Sequence, residues 1–239
     1  ENALDIIATG FRRGKTLLVA DTLCARTLYG IAIEAAKHVT YYTVKAVFGL
    51  EESANIGIAF FPAMQAVPAF LESRVSGRNV ACLIPAAIDQ DPFWRITRDI
   101  ASKLGYYKPA QIHCRFLPGL GTGGKMSASE PETSIFTTDP PQVVKRKIWN
   151  AFTGGKDTAA EQKKTGADPD ICTIYQYFLY LFQEDDKKLV ETEKRCRSGE
   201  ILCGECKTDL TERVNKFLAE HQKKREKAKD TLQKFHIKR

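Results

Sequence analysis

The chain has 239 residues, of which 43% are hydrophobic, 27% charged and 10% aromatic. That is the length of one large domain or two small ones and the makeup of a folded protein, which excludes collagen-like and wholly disordered readings. No stretch approaches ~18 uninterrupted apolar residues, so none spans a bilayer as a helix; the nearest, Ile56 to Phe70, is broken by Pro62 and Pro68 and carries Gln65. The net charge of +7 sits at one end: Lys207 to Arg239 hold 11 Lys and Arg against 5 Asp and Glu, whereas the first 206 residues hold 25 against 24. Such a basic end suits a solvated helix or a polyanion-facing surface, nucleic acid being the commonest partner.

The chain begins at Glu1, in ENALDIIATGF, which reads as a helix already under way, so any targeting segment would lie outside it. Lys15 to Ala20 is a short buried-strand candidate, Thr27 to Val39 has helical spacing, and YYTVKAVF predicts a second helix stopped by Gly49. Asn79 to Ala87 is apolar on both faces, as a central parallel strand is. Asp91-Pro92 offers an N-cap and a proline for the first helical turn, opening a helix that Gly105 closes, and Ala110 to Leu117 reads as the next strand. Alternating strands and helices predict an α/β domain with a parallel sheet over residues 1–138. Beyond Thr138 no strand pattern survives: Asp139-Pro140-Pro141 starts a basic helix, Ile171 to Phe182 is aromatic-rich, and Gly204 to about Lys229 is long and polar. A helical domain is expected over 139–228, with a final helix over 229–239.

The glycine-rich segment PGLGTGGKMSAS, Pro118 to Ser129, follows the last strand. Gly119 and Gly124-Lys125 fit the spacing of a P-loop, but Met126 stands where that motif needs a hydroxyl for magnesium. The same residues, KMSAS, resemble the KMSKS loop of class I aminoacyl-tRNA synthetases, which holds the ATP phosphates as pyrophosphate leaves. A lysine on a glycine-flanked loop is a mobile point charge able to follow charge on a leaving phosphate. Asp89 and Gln90 stand at the carboxyl end of a predicted parallel strand, where open α/β sheets bind ligands, and Gln65 is a lone polar group in an apolar run.

Taken in order, FPAMQAVP, AIDQDPFWRITRD and KMSASEPETSIFTTD resemble the tryptophan branch of the class I aminoacyl-tRNA synthetases, eukaryotic and archaeal type, over nearly the whole chain. The resemblance implies the C-terminal half of a Rossmann-like catalytic domain followed by an all-α anticodon-binding domain, the last dozen residues returning to the former. It implies a cytoplasmic homodimeric ligase, without a membrane partner, that activates tryptophan with ATP and Mg2+ and transfers it to tRNA(Trp). Lys125, Ser127 and Ser129 match the catalytic loop positions; Lys125, Met126, Ser127, Ile84 and Ala87 match positions around ATP; Gln65 and Gln90 match the glutamines that hold tryptophan. None of His38, His113, His221 and His236 sits in an H-x-G-H context, so the HIGH-like motif is expected upstream of Glu1, and this stretch alone is expected not to form the adenylate. The alternatives are the tyrosine branch, which shares fold and loop, and a non-catalytic RNA-binding paralogue.

Of seven cysteines, Cys172, Cys196, Cys203 and Cys206 form the pattern C-x23-C-x6-C-x2-C. Four soft ligands, two of them in C-x-x-C, suit zinc or an iron–sulfur cluster. Some relatives in the tryptophan branch carry a four-iron cluster near the anticodon on a spacing one residue shorter, so the resemblance favours a 4Fe-4S cluster over zinc; the alternative is four unmetallated thiols.

Overall fold

The computed structural model describes residues 2–235 and divides them into two compact units, one formed by residues 2–17 with 116–235 and the other by 18–115. The KMSAS segment, expected from sequence to precede a boundary at Thr138, thus packs with the helical unit. That unit opens with α1 (Asn2–Ala8).

The unit from Leu18 to Arg115 holds α2 (Ala25–Ala36), α3 (Tyr41–Phe48), α4 (Ile56–Gln65), α5 (Val67–Ser76), β1 (Leu83–Ala87), α6 (Asp91–Ala101) and β2 (Ala110–Cys114). Side chains fix the starts of these helices: Thr40 Oγ1 accepts from Thr43 N at 3.1 Å for α3, and Asn55 Oδ1 from Ile58 N at 3.0 Å for α4. Gly49, at φ 63°, ends α3 in the left-handed conformation that spares only glycine a steric cost. Leu28, Ile31 and Ala35 on α2 pack with Phe70, Trp94 and Ile100 to form the core.

β1 and β2 pair in parallel, Leu83 opposite Ala110 through Ala87 opposite Cys114. This gives the expected α/β arrangement, helix-rich and with a small sheet. Two strand expectations change. Lys15–Ala20 forms no strand among the described residues; an isolated bridge joins Arg13 to Thr16, and Leu17 is 61% exposed. Apolar composition without a ladder partner does not hold a strand. β1 is not buried on both faces, since Leu83 is 56% exposed. Asp91 does not cap α6 but is its first residue, its carboxylate accepting from Arg95 Nε one turn on.

The second half of the helical unit holds α7 (Pro141–Trp149), α8 (Ala159–Thr165), α9 (Thr173–Tyr177), which widens into a π turn over Phe178–Phe182, α10 (Asp186–Ser198) and α11 (Cys203–Ala228). One stripe of α11 organises it. Leu210, Val214 and Leu218 pack with Val144 and Ile148 of α7 and Ile174 and Tyr177 of α9. Continued at helical spacing, the stripe turns polar at His221 and Arg225, which meet Asp5 of α1. The helix expected over 229–239 is a short 3-10 turn, Leu232–Phe235; residues 236–239 lie outside the described ones.

Candidate functional site

In the unit from Leu18 to Arg115, Pro62 lies within α4 and Pro68 in the first turn of α5, and the two helices meet at a 52° bend around Ala66. Proline in a helix interior removes one backbone donor and crowds the preceding turn, so the chain bends there. Gln65 ends α4 at this bend. Gln90 ends the 3-10 turn Ile88–Gln90 beyond the carboxyl end of β1. The structure brings them together: Gln65 Nε2 donates to Gln90 Oε1 at 3.2 Å, both side chains half-buried. Each amide then keeps one group outside the bond, an acceptor oxygen on Gln65 and a donor nitrogen on Gln90. Ile84 and Ala87, matched to one nucleotide pocket, point to opposite faces of β1 by strand parity, and Ile84 packs on the core.

In the helical unit the loop is a small hairpin. Pro118 and Lys125 pair across it, Gly119 N donates to Gly124 O at 3.2 Å and Met126 N to Leu117 O at 2.9 Å. Gly123 and Gly124, at φ 115° and 88°, make the tip. Ser127 Oγ and Ser129 Oγ lie 2.8 Å apart, and Ser134 Oγ donates to Ser127 O at 2.6 Å. Lys125 is exposed, lies 5.3 Å above the Phe116 ring and lines an open cleft of about 610 Å³. The root of the loop is fastened rigidly: Tyr177 Oη donates to Pro118 O at 3.1 Å, and Phe152 N to Leu120 O at 2.8 Å.

Several supporting residues escape the sequence reading. Lys147 is buried, with Nζ 2.6 Å from Asp139 Oδ2 and 2.8 Å from Ser134 O, so it ties α7 to the segment that carries the loop serines. Its signal was available, since Lys147 lies beside Val144 and Ile148 on the apolar face of α7. Phe116, beneath Lys125, carried no such signal.

Cys172, Cys196, Cys203 and Cys206 line one cavity of about 20 Å³, together with Gln162 and Ile174. Burial first, then the neighbouring Cys172 and Cys203, push the Cys196 thiol up to about 11; burial, then Cys196, Cys172 and Cys203, push Cys206 up to about 12. All four sulfurs therefore share one electrostatic neighbourhood. The donor set suits a soft metal ion. The geometry falls short of ligation: among the described residues no group of three or more His, Cys, Asp and Glu is arranged to hold a metal ion, and the cavity has room for about one water. The four cysteines thus line one cavity without the coordination geometry expected of a four-iron cluster. Glycines seal the surroundings, for a Cβ on Gly155 would lie 2.7 Å from Cys203 Sγ.

The basic end is smaller than its sequence suggests. Lys223, Lys224 and Lys227 are exposed, but Arg225 is buried with Nε 3.1 Å from Asp5 Oδ1, so its charge belongs to the fold rather than to a surface.

Comparison with known proteins gives the family. Residues 43–219 match the sequence profile of the tRNA synthetases class I (W and Y). The chain is 53% identical over 237 residues to the tryptophan–tRNA ligase of Thermococcus sibiricus, an alignment covering 98% of this chain and 60% of that protein. The structure of tryptophanyl-tRNA synthetase from Aeropyrum pernix K1 superposes with a TM-score of 0.87 at 33% identity, over 99% of this chain and 65% of the other. That of the Encephalitozoon cuniculi tryptophanyl-tRNA synthetase, bound to tryptophan, does so with a TM-score of 0.82 at 33% identity, over 99% and 64%. The chain spans 60% of the length of the Thermococcus relative. With three quarters of its length on the family profile, the chain belongs to the class I tRNA synthetases of the tryptophan and tyrosine group.

Proposed function

We propose that this chain is the glutamine- and loop-bearing part of a tryptophan–tRNA ligase. The reaction joins tryptophan to ATP, releasing pyrophosphate, and transfers the tryptophanyl group to tRNA(Trp). Magnesium accompanies ATP as substrate in this family and supplies countercharge for its phosphates. The observation that carries the reading is the Gln65–Gln90 hydrogen bond, because it leaves one amide acceptor and one amide donor for the charged end of an amino acid. Gln65 Oε1 accepts from the α-ammonium, and Gln90 Nε2 donates to the α-carboxylate. Neutral amides bind both charges without a buried ion of their own.

Lys125 supplies mobile positive charge at the departing pyrophosphate, and Ser127 and Ser129 supply hydroxyl donors beside it. Met126, between them, borders the nucleotide, together with Ala87 and the main chain of Ile84 on β1, the Ile84 side chain being turned to the core. No side chain acts as a nucleophile; the attacking group is the tryptophan carboxylate, so catalysis is positioning and charge stabilisation. The helical unit binds tRNA, and family resemblance adds a homodimer in the cytoplasm, which sedimentation and cell fractionation test.

The test is amino-acid-dependent ATP–pyrophosphate exchange in the protein that carries this chain. Tryptophan supports exchange and tyrosine does not; Gln65→Ala and Gln90→Ala raise the tryptophan KM by roughly 10- to 100-fold, as expected for hydrogen bonds to charged groups. Exchange with tyrosine alone moves the protein to the sister branch, and none with either leaves an RNA-binding paralogue.

The shared cavity of the four cysteines favours one addition, a structural metal held by Cys172, Cys196, Cys203 and Cys206. Loading would deprotonate the thiols and draw them inward. Anaerobic reconstitution with iron and sulfide, or with zinc, tests it. Bound metal together with a raised Tm supports the site, whereas four thiols titratable by a thiol reagent after both reconstitutions rule it out.

A further inference from the structure

Two polar side chains behind the KMSAS loop are almost closed off from water: Lys147 is 4% exposed and Ser134 1%. Lys147 Nζ donates to Asp139 Oδ2 at 2.6 Å and to Ser134 O at 2.8 Å, and lies 4.9 Å from the centre of the Phe136 ring. Asp139 Oδ2 also accepts from Phe136 N at 3.0 Å, so one carboxylate holds both the lysine and the turn beside it. Ser134 passes the constraint on to the loop. Its Oγ donates to Ser127 O at 2.6 Å, and Glu130 N donates to the same oxygen at 3.0 Å. A carbonyl oxygen has two lone pairs, and both are used here. Ser127 Oγ in turn meets Ser129 Oγ at 2.8 Å. Lys125, two residues earlier, is exposed and follows Gly123 and Gly124, at φ 115° and 88°. The loop thus has a fixed serine half and a glycine-hinged lysine half.

Packing alone does not call for this arrangement. Lys147 lies beside Val144 and Ile148 on the buried face of α7, where an apolar side chain of similar length would serve stability as well. Two buried charges lose hydration that their attraction barely offsets. What the pair adds is position. We propose that Lys147 and Ser134 are positioning residues for the phosphate-handling step. They fix the main chain of Ser127, so the loop closes by swinging Lys125 and the glycine tip about that point, with the Ser127 and Ser129 hydroxyls already in place. The inference rests on the ligase reading above and adds what sets the geometry of the loop. Neither residue touches substrate; they act through groups that do, and a displacement of about 1 Å in such groups costs up to roughly 100-fold in rate.

Ser134→Ala removes one hydroxyl and leaves Lys147, Asp139 and the Glu130 bond in place. In the protein that carries this chain it is expected to lower kcat for tryptophan-dependent pyrophosphate exchange by roughly 10- to 100-fold, with the tryptophan KM changed less than about twofold. Hydrogen exchange at the Ser129 and Glu130 amides is expected to accelerate in the same variant, which reads the loop without reference to activity. Ser134→Thr keeps the hydroxyl and is expected to restore most of the rate. Thermal melts verify that each variant is folded. Unchanged kcat in Ser134→Ala overturns the inference and leaves the ligase reading standing. A loss of kcat that a folded Ser134→Thr shares in full, or that comes with an equal rise in the tryptophan KM, also overturns it, by making Ser134 a part of general packing. No pyrophosphate exchange by the parent with either amino acid overturns both readings.

Discussion

His221 Nε2, on the stripe of α11, lies 2.9 Å from Asp5 Oδ1 on α1, and Arg225 Nε lies 3.1 Å from the same oxygen. This one carboxylate fastens α1 to α11. Burial raises its pKa, but the bonds to His221 and Thr137 and the charge of Arg225 outweigh burial and leave Asp5 below its ordinary value of 3.8. A carboxyl depressed in the folded state stabilises fully above its unfolded pKa and loses that contribution as pH falls through the lower folded value. Asp5→Asn is therefore expected to cost about 2 kcal/mol near neutral pH. The gap from the parent should close in acid, read from urea melts across pH. A gap that stays constant below pH ~3 would count against the mechanism.

The loops around the cysteine cavity pack backbone on backbone. A Cβ on Gly154 would lie 1.7 Å from Asp168 O, an approach no side-chain rotation relieves. Gly154→Ala is expected to cost more than about 3 kcal/mol or to prevent folding of the helical unit. Gly30, within α2, has nothing within 4 Å of such a Cβ, so Gly30→Ala is expected to stabilise by about 1 kcal/mol. Thermal melts measure both, and equal effects of the two substitutions would contradict the packing argument.

Legibility followed the range of the interaction. Gly49 announced the end of α3 because capping is decided within a few residues, whereas the caps at Thr40 and Asn55, equally local, went unread. The loop was readable because its glycine tip is local, and the family pattern marked Gln65 and Gln90, though their 25-residue bond could be seen only in the fold. Lys15–Ala20 misled because apolar composition does not supply a pairing partner. Arg225 misled in the opposite sense: four basic residues in a row of five look like a surface, and only the helical stripe through Leu218 and His221 shows that the third of them turns inward toward Asp5. The cysteines were legible as a set, and the tight glycines around them only as punctuation.

Lys125 is exposed and at the lip of a cleft, so replacing it costs the fold little. In the protein that carries this chain, Lys125→Ala is expected to lower kcat for tryptophan-dependent pyrophosphate exchange by roughly 100- to 1,000-fold, the usual loss of one charge-stabilising donor. Tryptophan affinity should change less than about threefold, because the amino acid is held by the glutamines. Lys125→Arg should recover part of the rate. An unaltered kcat would remove the loop from catalysis.

Lys223, Lys224 and Lys227 are exposed on α11, whereas Arg225 is held by Asp5, so neighbouring charges are predicted to behave differently. Changing the three lysines to glutamine should leave stability within about 0.5 kcal/mol, since exposed charges contribute little. If they neutralise RNA phosphates, tRNA affinity falls and the slope of log affinity against log salt becomes shallower by about 2 to 3, roughly 0.7–0.9 for each phosphate left without its lysine. Arg225→Gln should do the reverse, lowering stability by about 2 kcal/mol, since Asp5 keeps its bonds to His221 and Thr137 but loses the guanidinium charge, and leaving the salt slope alone. Filter binding across salt concentrations and thermal melts of both variants separate the two. A salt slope that shifts with Arg225 and not with the three lysines would place the RNA against the α1 end of the stripe instead of the exposed face.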